Sequence, residues 1–130
     1  MKALAIATVV VAAAALGAAS ASAGQAYSGT NDYQMFCSAC HGATAKGDGP
    51  IATSLVKRPP DLTQLSNRND AVFPEEKVSK TIGGNGVHTK SDMPAWSEVF
   101  AKSQDSAGPE AAQVRITALV HYLATIQEKR

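Results

Sequence analysis

Beyond residue 28 the apolar positions recur at helical spacing in four places, with Gly- and Pro-rich stretches between them. The plainest stripe is Ala112, Ile116, Leu119, Val120, Leu123 and Ile126, which predicts a helix opening at Pro109-Glu110 and running to Lys129 and Arg130. Tyr33, Phe36, Cys37 and Cys40 stand at i, i+3, i+4 and i+7, predicting a helix over about 29–39. A short second helix is expected from Pro74, with Glu75 and Glu76 in its first turn and Gly83-Gly84 as its stop. Pro94 opens a third, through about Ala101. Residues 42–72 read mostly as loop, because Gly47-Asp48-Gly49-Pro50 is turn-rich and Arg58-Pro59-Pro60-Asp61 cannot lie inside a helix. No segment reads as a convincing strand, so the expected fold is a small, loop-rich, all-α domain.

The stretch 1–23 differs from the rest. Lys2 is its only charge, an apolar run spans Ala3 to Leu16, and Ala21-Ser22-Ala23 gives a small-x-small site before Gly24. This pattern predicts a secretory signal peptide over residues 1–23, cleaved after Ala23, and hence export to a periplasm. An uncleaved membrane anchor fits less well, since the run is Ala-rich and short for a span of about 20 strongly apolar residues. Cleavage leaves one domain, residues 24–130, with basic and acidic side chains in equal number once Lys2 is gone. That balance gives no reason to expect nucleic acid or anionic lipid as a partner. The domain also looks short of core material: aromatics make up 5% of the chain, and much of its 45% apolar content is alanine. A large buried apolar cofactor would supply the missing core.

The chemistry centres on Cys37-Ser38-Ala39-Cys40-His41, which holds both cysteines of the chain. A redox Cys-x-x-Cys is expected beside a βαβ unit, with its thiolate at a helix N-terminus, whereas this motif closes a helix. A structural zinc site needs four ligands, and downstream there are only His88 and His121, far apart in sequence, and no third Cys. The remaining reading uses every position. Cys-x-x-Cys-His is the attachment signature of haem c, two thiols adding across the porphyrin vinyl groups while the His binds iron. Cys37, Cys40 and His41, at i, i+3 and i+4, reach one side of one helical turn. One covalent haem c per chain is therefore expected, with His41 as proximal ligand.

Four residues compete for the other face of the iron. Met35 lies just ahead of Cys37, and His121 stands off the apolar stripe of the last helix, so packing or solvated roles suit both better. Met93 follows a Gly-rich loop, well beyond His41 in the chain, and Pro94 keeps it out of the next helix. It is the favoured distal ligand. His88 in the same loop, or an open position, are the alternatives.

These residues together resemble a class I monohaem cytochrome c of the bacterial periplasmic type, over about residues 27–127. Gly29, Tyr33 and Cys37 are similar to the family's N-terminal helix, and Leu119 and Tyr122 to the C-terminal helix that crosses it. Met93-Pro94-Ala95-Trp96 resembles its distal Met-Pro segment. The resemblance implies about four helices wrapped around one haem, a bare Gly29 at the crossing, and a Pro carbonyl, that of Pro50, accepting the proximal His Nδ1–H. Arg58 and Trp96 are candidate donors to the haem propionates.

A His/Met-ligated haem has no coordination position left for substrate, so the expected function is soluble one-electron carriage and not catalysis. The expected donors are a dehydrogenase or quinol-oxidising complex, and the acceptors an oxidase or reductase, met by a monomer without a permanent membrane anchor. Two alternatives stand beside it. One is a five-coordinate haem protein that binds a diatomic gas or peroxide; the other is a dedicated subunit of a dehydrogenase complex.

Overall fold

A computed structural model describes residues 27–85, 92–104 and 108–129. The expected signal peptide and His88 lie outside the described residues. Among those described there are four helices and no strand, and no helix is long and apolar enough to cross a membrane.

Helix α1 (29–41) has three consecutive pieces: α-helical Gly29–Asp32, π-helical Tyr33–Cys37 and α-helical Ser38–His41. Ser28 caps its start, the hydroxyl accepting from the Asn31 N–H. The helix runs past its predicted end to His41, and the wide turn was not expected. There the Ser38 N–H reaches back to the Tyr33 carbonyl, and the Ser38 hydroxyl donates to the Gln34 carbonyl at 2.6 Å. The stretch 42–74 that follows is loop with two 3₁₀ turns, Ala52–Ser54 and Leu62–Gln64.

Helix α2 is Glu75–Gly83 and α3 is Trp96–Lys102. The latter starts later than its Pro signal suggests, because Ala95 stays extended (φ −76°, ψ 93°) and acts as its cap. Helix α4, Pro109–Thr125, begins where expected but stops short of Lys129. The tail turns away to bond the 62–66 loop instead. The Glu128 N–H donates to the Thr63 carbonyl (2.9 Å), while Gln127 accepts from the Ser66 N–H (2.9 Å) and donates to the Leu62 carbonyl (2.8 Å).

Helices α1 and α4 cross at Gly29. A Cβ there would stand 2.0 Å from the Ala118 carbonyl oxygen, so only a bare residue allows this approach. Next to the crossing Tyr33 and Tyr122 pack with ring centroids 5.2 Å apart. The predicted stripe of α4 is the core: Ala112, Ile116, Leu119, Val120 and Leu123 are buried, and Ile126 packs at its margin. Val78 and Ile82 of α2 and Phe100 of α3 close over it.

One member of this core was not foreseen. Arg115 is buried on the same face of α4 and makes a two-point ion pair with Asp32 of α1, Nε–Oδ2 2.9 Å and Nη2–Oδ1 2.7 Å. Its guanidinium lies 4.2 Å from the Phe100 ring centroid and 5.1 Å from that of Phe36. The pair links the two terminal helices and satisfies both charges where water cannot.

Candidate functional site

The last turn of α1 carries Cys37, Cys40 and His41, and the loop that follows caps it completely. A helix leaves its last four carbonyls without intrahelical partners. Here the Ser38 carbonyl accepts from Gly42 N–H (2.8 Å), Ala39 from Ile51 (3.2 Å), Cys40 from Gly49 (3.2 Å) and His41 from Gly47 (2.8 Å). The loop can come this close because Gly49 lacks a side chain: a Cβ there would stand 2.3 Å from the Ala39 oxygen. Tyr33 adds a further tie, its hydroxyl donating to the Gly42 carbonyl at 2.7 Å. Pro50 lies between Gly49 and Ile51, whose bonds hold it against the helix end. Nδ1 of His41 is buried. The Gly-Asp-Gly-Pro stretch, read in the sequence as a turn with Pro50 as a candidate partner of His41, is thus the clamp on the Cys–His turn.

Cys37 and Cys40 are half-buried and not joined to each other. As a thiol, Cys37 is pushed up to about 12 from 9.0, mainly by burial, with the charges of Asp32 and Cys40 adding in the same direction. A redox-active thiolate needs the opposite shift, so the electrostatics agree with rejecting a dithiol switch. Among the described residues no group of three or more His, Cys, Asp or Glu side chains converges as a metal site.

Segments distant in sequence pack on the same core as Cys37. Met93 is half-buried and packs against the same core cluster as Cys37, together with Phe36, Leu62, Leu65 and Phe73. Two contacts join the end of α2 to the segment that carries Met93. Ser97 Oγ donates to the Gly83 carbonyl, and Gly84 lies so close to Ala95 that a Cβ on it would fall 2.4 Å from the alanine Cβ.

The remaining sequence candidates separate clearly. Trp96 is locked in an aromatic cluster, 5.7 Å from Phe36 and 5.3 Å from Phe100 between ring centroids. Arg58 is exposed in the loop before Pro59. Met35 is 73% exposed, as its surface reading requires. His121 is exposed too, with Nε2 3.8 Å from Glu75 Oε1. Outside those candidates, Lys46 ties the loop after α1 to the C-terminal tail through Glu128, at 2.5 Å.

A comparison with protein families matches residues 26–127 to Cytochrome c. The chain belongs to the cytochrome c family. Membership makes it a haem-binding electron-transfer protein, and the all-helical architecture is that of a small cytochrome c. No curated protein and no solved structure matches the chain. The residues present fit the family's cofactor. Two thiols and an imidazole sit on one clamped helical turn, and Cys37 packs on the same apolar core as the thioether of Met93. Sequence reasoning had missed the clamp, whose signal was the spacing of Gly42, Gly47 and Gly49, and the Asp32–Arg115 pair.

Proposed function

We propose that this cytochrome is a class I carrier of the bacterial periplasmic type, moving single electrons between redox proteins. Haem c would be held by thioether links from Cys37 and Cys40, one group per chain, with His41 and Met93 as axial ligands. The observation that carries this reading is the packing of Cys37 and Met93 against one apolar cluster although they lie far apart in the chain. When bound, the haem supplies a one-electron iron couple, and thioether ligation raises its potential relative to bis-His iron.

The chain's own part is to hold and to shield. The capped helix end fixes the direction of the His41 ring, and the neighbouring Pro50 carbonyl is the candidate acceptor for its Nδ1–H. Phe36, Trp96 and Phe100 pack ring against ring in the same apolar core on which Met93 packs. Holding His41 and Met93 this way would keep rearrangement small on oxidation and reduction of a bound haem. Arg58 and Trp96 remain the proposed propionate donors, although the ring packing of Trp96 supports a structural role equally.

Export follows from residues 1–23. Mass spectrometry of the periplasmic fraction should give a chain starting at Gly24 and heavier by one haem. Haem extractable by acidified acetone would refute thioether attachment. The deciding measurement is the optical spectrum of the ferric protein, scanned for the weak far-red sulfur–iron band, with Met93→Ala as control. A band in the wild type that the variant lacks supports His/Met ligation. A wild type without the band, whose ferrous form binds CO readily, points instead to the gas- or peroxide-binding alternative. Exchange partners would be a dehydrogenase or quinol-oxidising complex and an oxidase or reductase, engaged by a monomer. Recovery of one stoichiometric dehydrogenase in a pulldown would make it a subunit of that enzyme.

A further inference from the structure

The segment bearing Met93 is tied to the rest of the protein by a side chain not yet given a role. Asp92, the residue before Met93, accepts the backbone N–H of Val56 through Oδ2 at 2.8 Å. Val56 belongs to the loop that continues from the clamp on α1, and its side chain is 92% exposed, so side-chain packing does not hold that stretch. The bond joins two loops 36 residues apart in sequence. On the far side of Met93, Pro94 fixes its own φ and confines the preceding residue to extended backbone. Ala95 then lies against Gly84, and Ser97 bonds Gly83. Met93 is therefore bracketed: a carboxylate anchor on one side, and a stiff, packed corner on the other.

The geometry points to Asp92 as a positioning residue for the distal ligand, holding the Met93 segment closed by bonding the loop that leaves the proximal helix. This inference rests on Met93 being the ligand. The anchor couples the two halves of the site, since the 47–51 stretch caps the Cys–His turn and the same loop, a little further on at Val56, holds the Met93 segment. A charge-assisted bond between partly solvated groups has a modest net worth, so its loss should loosen the segment without unfolding the protein.

The test is imidazole binding to the purified ferric holoprotein. Imidazole competes with the thioether, and its apparent affinity scales with the fraction of molecules whose sulfur is detached. Asp92→Ala should raise that affinity about fivefold to tenfold. Its far-red sulfur–iron band should persist at wild-type intensity without imidazole, since the ligand remains bound most of the time. Asp92→Asn keeps a carbonyl acceptor and should return most of the affinity to the wild-type value. Met93→Ala, measured alongside, should bind imidazole far more tightly and lack the band. Wild-type imidazole affinity in Asp92→Ala, with a strong response in Met93→Ala, overturns the anchor and leaves the ligand assignment standing. An Asp92→Asn protein as loose as Asp92→Ala also overturns it, since the bond would not be what matters. If Met93→Ala changes neither band nor affinity, the ligand assignment itself is wrong.

Discussion

The helix crossing and the corner that carries Met93, the proposed distal ligand, are held by different physical means. At the crossing, the backbone of α1 sits on α4 through Gly29, Tyr33 is 1% exposed, and a buried ion pair fixes the helices to each other. At the corner, Met93 is half-buried, and an exposed carboxylate, a proline and one hydroxyl hold its segment. Buried packing resists small motions at high cost, whereas solvated hydrogen bonds break and reform at about 1 kcal/mol each. The crossing is thus set by folding itself, while the proposed distal segment is held by bonds whose loss need not unfold the protein.

The comparison breaks first at Arg115. Arg115→Leu strands the Asp32 carboxylate in the core, and chemical denaturation should show a loss of about 3–5 kcal/mol. Replacing both partners, Asp32→Leu with Arg115→Met, should recover much of it, because an apolar pair escapes the desolvation cost. A loss under about 1 kcal/mol for Arg115→Leu would mean that the ion pair does not hold the crossing.

Gly29→Ala comes next. Its new Cβ meets backbone atoms of α4, which cannot rotate away, so the helices must separate, at about 1–3 kcal/mol. Unchanged stability would show that the crossing has slack.

Tyr33→Phe removes the bond to the Gly42 carbonyl and should cost about 1–2 kcal/mol at neutral pH. Burial raises the Tyr33 hydroxyl above its ordinary 10.0, with the charges of Cys37, Tyr122 and Asp48 acting the same way. A group whose pKa rises on folding stabilises fully below its unfolded value and loses that contribution as pH climbs past it. The difference between wild type and Tyr33→Phe should therefore be constant below pH 10 and shrink above it. A difference that grows in alkali would contradict a buried neutral phenol.

The smallest effect belongs to the corner. Ser97→Ala should change global stability by no more than about 1 kcal/mol, yet it should raise imidazole affinity in the ferric protein. Loss of stability without any change in ligand exchange would erase the distinction between the two regions.

Much of this was readable beforehand, for definite reasons. The α4 stripe and the Cys–His turn depend on side chains at fixed helical spacing, and spacing is what a sequence displays; the Gly29 approach was expected from the family resemblance alone. The exit of the chain at Thr125 was not readable, because neither Gly nor Pro stands there and the cause is a set of bonds to residues 62–66. Arg115 left a trace, lying between Ala112 and Leu119 on the buried face, but a charge on an apolar stripe declares itself only with its partner. Asp92 left none, since an exposed carboxylate bonding a distant N–H has no local pattern.

The π-helical stretch at Tyr33–Cys37 sets an angle. Each α-helical residue advances the chain by about 100° around the axis, and a wide turn takes in one residue more than an ordinary one. It therefore fixes the phase between the face that meets α4 and the turn that carries both thiols and the imidazole. Wind the same residues as an unbroken α-helix that still crosses α4, and the extra residue would carry the Cys–His turn on by about 100° relative to that crossing. Delete one residue between 33 and 37 as well, and the turn would come back to nearly its present direction. The wide turn is thus a one-residue phase correction, by which a chain one residue too long for an ordinary helix still presents its attachment motif on the same side.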